Sequence, residues 1–196
     1  MNRKLYLFDF DGTLTKKDTL FDFLSYSFPK EYSFNYFLFT PLFVLAKLKI
    51  LDKGKVKEKF ISKFLKGFSK TAIDKLSNNY FINNHQSLIY PKADQFIKSI
   101  NNYNDKFIVS ASLDFWLQPF ADYYDMGLIC TIADFDQKGN FTGKFLSANC
   151  NYLEKKNRIE KEIDLSLYDE VIAYGDTKGD EAMFSITSKK FYRYFS

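Results

Sequence analysis

The feature that most constrains the fold is a run of four apolar residues, Leu5–Phe8, that ends directly in Asp-Phe-Asp-Gly. A continuous apolar run without alternation is typical of a strand buried on both faces of a parallel sheet. Similar runs occur at 107–109, 128–132 and 171–174, and amphipathic segments separate them. Strands that alternate with helices predict an α/β fold with an open parallel sheet.

The length of 196 residues leaves room for about one domain with an inserted module. Residues from about Asp18 to His85 read as helical, most clearly where Val56 to Phe68 form an apolar stripe at helical spacing. A helical insertion thus separates the first strand from the others. We predict a core domain of residues 1–15 and 88–196 and a helical cap of residues 16–87.

The second half of the chain carries further element signals. Pro91 opens an amphipathic helix, and a hairpin turn is expected at 137–140. A charged helix is predicted at about 153–163, and a final strand at 190–194.

Histidine and cysteine usage excludes several kinds of site. The single histidine, His85, excludes metal sites built from several histidines. Cys130 and Cys150 form no disulfide framework, and neither is followed by the arginine of a Cys-x5-Arg phosphatase loop. No charged-then-apolar signal precedes Leu5. We therefore expect a cytoplasmic protein.

The positive charge is concentrated in one segment. Residues 47–75 carry ten lysines and a net charge of +7, whereas the whole chain has +4. Just before it, Tyr32–Ala46 has no charged residue, is too short for a membrane span of about 20 residues, and contains Pro41, which kinks or breaks helices. Two interpretations remain, a buried helix pair or a segment that lies on a membrane surface or binds a partner. Nucleic acid is not expected as a partner, because the basic segment contains no recognised module.

Polar residues follow the predicted strands. In an open α/β sheet the ligand site lies beyond the carboxyl ends of the strands. We therefore expect several side chains to meet at one edge of the sheet: Asp9 and Asp11 after the first strand, Ser110 after the second, Asp176 and Asp180 after the strand at 171–174, and Lys155 from the charged helix.

This set of residue types favours phosphate chemistry with a metal ion. Crowded carboxylates repel one another unless a cation lies between them, and oxygen ligands beside a phosphate suit Mg²⁺. A carboxylate such as Asp9 can attack phosphorus to form an aspartyl-phosphate, and Asp11 can act as general acid and base. Lys155 and Ser110 would neutralise and hold the phosphate, the latter with backbone N–H groups that open a helix.

Four motifs resemble those of one superfamily. Phe8–Thr15 is similar to the first motif of the haloacid dehalogenase superfamily, Val109–Ser112 to the second, Lys155 to the third, and Gly175–Asp180 to the fourth. They occur in the superfamily's order and span residues 8–180. The resemblance implies a Rossmann-like sheet with a cap inserted between the first and second motifs.

The resemblance also implies a role for each motif residue, carried over position by position. Asp9 would be the nucleophile and a Mg²⁺ ligand, Asp11 the acid/base with its carbonyl on the metal, and Asp176 the third ligand; Gly12, Ser110, Ala111 and Lys155 would bind phosphate, and Thr13 and Asp180 would support the site. Lys156 is the alternative third-motif lysine. We favour Lys155 because Ile159, four residues on, continues a core-facing stripe, whereas Lys156 has Glu160 at that spacing.

The insertion between the first and second motifs resembles the cap of phosphoserine-phosphatase-like members. Val109–Ser112, with Asn149 and Cys150 ahead of the charged helix, resembles the branch that contains phosphatidylglycerophosphatase C. Asp18 lies nine residues after Asp9, where phosphoserine phosphatases carry an acidic residue near the substrate; it is equally well placed to cap a helix. Those enzymes use a cap arginine to bind the substrate carboxylate. The arginines of this chain, Arg3, Arg158 and Arg193, all lie outside the insertion, which argues against phosphoserine as the substrate.

We therefore predict a Mg²⁺-dependent phosphomonoesterase acting on a phosphorylated small molecule or a lipid headgroup, with peripheral membrane contact through the cap as a further hypothesis. The alternatives are a phosphoserine or other small-molecule phosphatase and a non-catalytic phospho-receiver.

Overall fold

A computed structural model of the chain describes residues 3–196. Its strands are, in chain order, β1 (Lys4–Phe8), β2 (Asp105–Leu113), β3 (Gly127–Thr131), β4 (Ala133–Phe135), β5 (Phe141–Phe145), β6 (Glu170–Gly175) and β7 (Lys189–Tyr192). Five of them form a parallel sheet in the order β3-β2-β1-β6-β7, and β4 and β5 form a separate antiparallel hairpin. The predicted open parallel α/β fold is confirmed.

The helices of the described chain are α1 (Thr19–Ser27), α2 (Pro29–Lys47), α3 (Lys53–Leu65), α4 (Lys70–Leu88), α5 (Pro91–Ser99), α6 (Asp114–Tyr124), α7 (Leu153–Glu162) and α8 (Glu181–Phe184). The first four, which we call the cap, lie between β1 and the rest of the core, as the sequence predicts. The two segments that connect the cap to the core run side by side. Lys16 N donates to Leu88 O and Tyr90 N donates to Leu14 O, each at 2.9 Å. The exact domain boundaries stay a prediction.

Local side-chain chemistry explains where the cap helices begin. The side chains of Asp18, Asp52 and Ser69 each accept a hydrogen bond from a backbone N–H of the first turn that follows, and Pro29 opens α2. These are the residue types preferred at helix N-termini, because they satisfy otherwise unpaired N–H groups or have none to satisfy.

The sheet is covered on both faces, which explains its continuous apolar strands. Leu5 and Leu7 of β1 pack in one buried cluster with Ile159 of α7. Phe8 belongs to a second cluster that extends into the cap, where it includes Phe60 of α3. The central strand therefore joins both halves of the core.

Two element boundaries differ from the predictions. β2 continues to Leu113 and α6 begins only at Asp114, so the prediction that N–H groups directly after Ser110 open a helix is wrong. The final strand ends at Tyr192, because Arg193 adopts a positive φ of 51° that leaves the extended conformation.

The interpretation of Tyr32–Ala46 as a buried helix pair is also wrong. α2 runs as one helix through Pro41. Phe39 and Phe43, one on each side of Pro41, both pack on Phe60, with their ring centroids 5.2 and 5.1 Å from the centroid of its ring. This packing holds the two halves in line. The outer face of α2 is exposed, with Phe37 81% accessible. In the part of the chain that the structure describes, no helix combines the length and apolarity needed to cross a membrane.

Candidate active site

The predicted motif residues meet at the carboxyl ends of three neighbouring strands. β1 lies between β2 and β6, so Asp9 at the end of β1 is flanked by Ser110 of β2 and by Asp176 after β6. The backbone N–H of Asp9 donates to Tyr174 O at 2.9 Å, which extends the β1–β6 pairing into the site. Residues far apart in sequence are thus brought to one sheet edge by strand order.

A buried lysine joins two of the carboxylates. Lys155 Nζ donates to Asp9 Oδ1 at 2.6 Å and to Asp180 Oδ1 at 2.7 Å, and the Lys155 side chain is 2% exposed. Burial opposes its charge, but Asp9 and then Asp180 outweigh that effect and hold the pKa of Lys155 above its usual value. Lys156 lies on the outside of α7, 3.7 Å from Glu160. The structure therefore brings Lys155, and not Lys156, to Asp9.

The buried carboxylate of Asp9 lies close to other acidic groups. Burial raises its pKa, Lys155 opposes that shift, and Asp180 adds to it. Thr13 Oγ1 donates to Asp9 Oδ2 at 3.0 Å and approaches Asp176 Oδ1 at 3.4 Å. A buried carboxylate with one lysine shared between two acids suits a second positive charge beside it.

The acidic cluster fits a magnesium ion. Oxygens of Asp9, Asp176 and Asp180 lie within 4.8 Å of one another. Both oxygens of Asp180 are already engaged, Oδ1 with Lys155 and Oδ2 with the backbone N–H groups of Asp176 and Thr177. Asp176 is half-buried, and burial followed by Asp180 raises its pKa. Asp9 and Asp176 are therefore the carboxylates best able to hold Mg²⁺, which prefers few carboxylates and several waters.

Gly12 leaves room for Asp176. It has a φ of +82°, and a Cβ there would lie 2.6 Å from Asp176 Oδ2, so both conformation and space require glycine. Its N–H donates to Thr15 Oγ1 at 3.2 Å. Phosphate binding by Gly12 stays a prediction, and this hydrogen bond does not support it.

The Asp11 carboxylate is held from the cap and from β2. Its Oδ1 accepts from the N–H and the hydroxyl of Thr19 at 2.7 and 2.6 Å, and its Oδ2 accepts from Ser112 Oγ at 2.6 Å. Trp116 Nε1 in turn donates to Thr19 Oγ1 at 3.2 Å. The roles of Thr19, Ser112 and Trp116 were not predicted from the sequence, although the second serine of Val-Ser-Ala-Ser was a signal for Ser112.

Ser110 and Ala111 lie beside a lysine from the cap. Ser110 is buried, and its Oγ accepts from the N–H of Ser112 at 3.1 Å. Lys57 Nζ, from α3, donates to the carbonyl of Ala111 at 2.6 Å. Burial lowers the pKa of Lys57, while Asp11 and Asp18 oppose that shift. Nothing in the sequence separates Lys57 from the nine other lysines of the basic segment.

Asp18 caps α1 and also lines the space above Asp9. Its carboxylate accepts from Leu20 N at 3.0 Å, which accounts for its helix-capping role. Burial raises the pKa of Asp18 to about 6, and the charge of Asp11 adds to this shift. Water in the cavity still reaches the Asp18 carboxylate. Contact with substrate stays a prediction.

A cavity of about 1070 Å³ separates the core from the cap. Asp9, Asp11, Ser110, Lys155 and Asp176 line its core side. The cap side has two kinds of wall: apolar residues (Phe21, Phe43, Ile50, Leu51, Val56) and lysines (Lys47, Lys49, Lys53, Lys57). The cavity can therefore take a molecule with a phosphate at one end and an apolar or anionic part at the other.

Several solved structures share this fold. A protein of unknown function from Bordetella pertussis Tohama I superposes with a TM-score of 0.84 at 17% identity, covering 98% of this chain and 90% of that one. A phospho-aspartyl intermediate analogue of phosphoserine phosphatase gives 0.68 at 19% identity, covering 98% and 87%. A phosphoserine phosphohydrolase-like protein from Francisella tularensis subsp. tularensis SCHU S4 gives 0.68 at 22%, with the same coverage.

Sequence comparison agrees with the fold. Protein CicA of Caulobacter vibrioides is 32% identical over 97% of this chain and 86% of its own length. A family model described as haloacid dehalogenase-like hydrolase matches residues 6–185, a range that contains all four motifs and the cap. With the strand order and the arrangement of Asp9, Lys155 and Asp176 already established, the chain belongs to the haloacid dehalogenase-like hydrolase family.

Proposed function

We propose that this protein is a Mg²⁺-dependent phosphomonoesterase that works through an aspartyl-phosphate on Asp9 and acts on a lipid phosphate. The observation that carries the proposal is the buried Lys155 between Asp9 and Asp180 at the floor of a large cavity. Phosphoserine phosphatases among the similar structures support the reaction class. A carboxylate held beside an ammonium group, with room for a phosphate above it, suits phosphoryl transfer.

The residues divide the reaction between them. Asp9 attacks phosphorus, the bond to the leaving oxygen breaks, and Asp11 gives that oxygen a proton. Asp11 then takes a proton from a water that attacks the phosphorus, which releases phosphate and restores Asp9. Asp11 lines the cavity beside Asp9, and its carboxylate accepts hydrogen bonds from Thr19 of the cap, so it would face a leaving group that extends toward the cap.

The remaining residues stabilise charge. Lys155, Ser110 and the backbone around Ala111 would hold the phosphate oxygens, and Thr13 and Asp180 would fix Asp9 and Lys155. Mg²⁺ would be held by Asp9, Asp176 and the carbonyl of Asp11, and when bound it supplies positive charge to the transferring phosphoryl group.

The cap side of the cavity favours a lipid phosphate over phosphoserine. Phosphoserine is small and zwitterionic, whereas the cap offers apolar residues such as Phe43 and Leu51 beside lysines such as Lys53. Phosphatidylglycerophosphate has a phosphomonoester, a second phosphate and an apolar body, which match these three surfaces. Such a substrate would be reached at a membrane surface, with the cap in contact with it.

Two other functions make different predictions. A small-molecule phosphatase, such as a phosphoserine phosphatase, is favoured by the names of several similar structures and would prefer soluble esters. A phospho-receiver would retain the phosphate on Asp9, and it would have no use for Asp11 as a water activator or for the cap.

The test is phosphate release by the purified protein. We expect Mg²⁺-dependent hydrolysis of an aryl phosphate, loss of activity with EDTA, and loss with Asp9→Asn but not with the surface control Asp74→Asn. Full activity in Asp9→Asn would remove the nucleophile assignment. Rates on phosphatidylglycerophosphate in detergent micelles, phosphatidic acid and phosphoserine then separate the substrate classes, and faster turnover of phosphoserine would overturn the lipid assignment.

A further inference from the structure

The outer face of α2 is a row of exposed apolar side chains, which we call the α2 stripe. Its members are Phe34, Phe37, Leu38, Pro41, Val44 and, directly after the helix, Leu48; each lies three or four residues from another member, which places them on one side of the helix. Phe34 is 71% exposed and Phe37 81%. The opposite side of α2 packs on Phe60 through Phe39 and Phe43. A helix that is apolar on both faces requires something to cover the second face.

No residue from 3 to 196 covers the stripe, and its setting indicates what does. Lys30 lies in the first turn of the helix, and Lys47 and Lys49 flank Leu48 at its end. Among the described residues, none of the lysines from 47 to 66 forms an ion pair within 4.0 Å. An apolar helix face bordered by unpaired lysines is typical of helices that lie in the interface of an anionic membrane.

We propose that the α2 stripe and its flanking lysines bind the surface of an anionic lipid bilayer, with α2 parallel to the membrane plane. The end of α2 leads to the cavity, because Lys47 in its last turn and Lys49 and Ile50 directly after it line that cavity. If this face lies on the membrane, the cavity that leads to Asp9 would therefore face the lipid headgroups. The inference rests on the proposed function for its choice of substrate, but the contact itself is independent of catalysis.

Charge favours a bilayer over a second copy of the chain. In a symmetric dimer through α2 the lysines of one copy would approach those of the other, and Glu31, the one acidic residue of α2, offsets only part of that repulsion. Anionic headgroups would neutralise them while the acyl region covers Phe34 and Phe37.

The test is co-sedimentation of the full chain with phosphatidylcholine vesicles, with and without phosphatidylglycerol. We expect binding at least about tenfold stronger to the anionic vesicles and weaker binding at high salt. Replacing both aromatic anchors, Phe34→Ser with Phe37→Ser, should lower partitioning by about tenfold or more, because each ring contributes its buried apolar area. The control Ile82→Ser removes a side chain that is 67% exposed on α4 and should leave binding unchanged.

Aryl phosphate hydrolysis and light scattering, measured on the same proteins, separate the outcomes. Absent vesicle binding with intact hydrolysis overturns the docking proposal and leaves the phosphatase standing. If the parent and Ile82→Ser bind anionic vesicles and the stripe variant does not, docking is supported. This holds even if the parent is as inactive as Asp9→Asn, because vesicle binding does not depend on hydrolysis. A concentration-dependent dimer that the stripe variant abolishes, without vesicle binding, overturns the proposal in favour of a second copy.

Discussion

Lys155 contacts two buried carboxylates, and we expect both stability and activity to depend on it. Removing its charge with Lys155→Met leaves Asp9 and Asp180 buried without a partner. Breaking a buried ion pair on one side costs about 3–5 kcal/mol, so we expect a lower midpoint of urea unfolding and loss of measurable turnover. Urea unfolding and phosphate release measure the two effects.

The neighbouring lysine is the matched control. Lys156→Met removes an exposed i,i+4 pair with Glu160, and such pairs are worth about 0.5 kcal/mol or less. If Lys156→Met lost activity while Lys155→Met kept it, the assignment of the third-motif lysine would be reversed.

Ser112 is expected to position Asp11 without touching the phosphate. Ser112→Ala removes the 2.6 Å hydrogen bond to Asp11 Oδ2 but leaves both bonds from Thr19. A hydrogen bond to a charged group is worth about 1.5–3 kcal/mol, which corresponds to a fall of about tenfold to a hundredfold in kcat. Steady-state kinetics with inhibition by inorganic phosphate measures this. An unchanged kcat, or a matching loss of phosphate affinity, would contradict the positioning role.

Asp18 makes folding depend on pH. Its folded pKa of about 6 lies above the ordinary value of 3.8, so its stabilising contribution is complete below pH 3.8 and is lost as the pH rises through 6. Asp18→Asn keeps an N-cap side chain and removes the charge. We expect this variant to be more stable than the parent at pH 8, by about 1 kcal/mol or less because cavity water screens the charge.

The comparison with acid pH provides the control for Asp18→Asn. Below pH 3.8 the parent carboxyl is neutral in both states, so the two proteins should unfold at the same urea concentration. A variant that is less stable at pH 8 would show that the charge of Asp18 helps folding.

At the scale of elements, α2 contains a built-in weakness. Pro41 lies inside the helix, where it cannot donate to the carbonyl of Phe37, and it is exposed, so no packing depends on its ring. Pro41→Ala should restore that hydrogen bond and raise stability by about 1–3 kcal/mol, which thermal unfolding measures. The matched change Pro91→Ala, at the first turn of α5, should bring no such gain. A lower melting temperature in Pro41→Ala would show that a bend at this position is needed.

Elements also show where prediction from sequence succeeds. The strand at Leu5–Phe8, the helical character of the cap and the hairpin follow from local apolar period and turn residues, and the structure confirms these, although α2 is one helix and not a buried pair. The extension of β2 to Leu113 was not predictable in this way, because Leu113 pairs with Thr131 of β3, across a register shift. A pairing between strands has no signature within either strand.

For the whole molecule, metal binding should appear as stability. Asp9 and Asp176 are crowded acids, so Mg²⁺ should raise the melting temperature, by the equivalent of about 2.7 kcal/mol at a hundredfold excess over its dissociation constant. Calorimetry with and without Mg²⁺ measures this shift. Asp176→Asn should lose most of it, whereas the surface change Asp74→Asn should keep it. A shift equal in all three proteins would place the ion elsewhere.

Local sequence patterns were sufficient to predict the class of fold, the order of the motifs and the residues that meet at the sheet edge. These follow from local patterns, because strands connected by helical crossovers can form only a few sheet topologies. In each of them the carboxyl ends of the parallel strands lie at the same edge of the sheet.

Three further features are visible only in the folded chain: the hydrogen bond from Lys57 to Ala111, the hydrogen bond from Ser112 to Asp11, and the exposure of the α2 stripe. The first two join residues 54 and 101 positions apart. The third depends on which side of α2 meets Phe60, because apolar residues occur on both sides of that helix. Periodicity within a segment carries no information about any of the three, because all of them depend on how separate elements pack against one another.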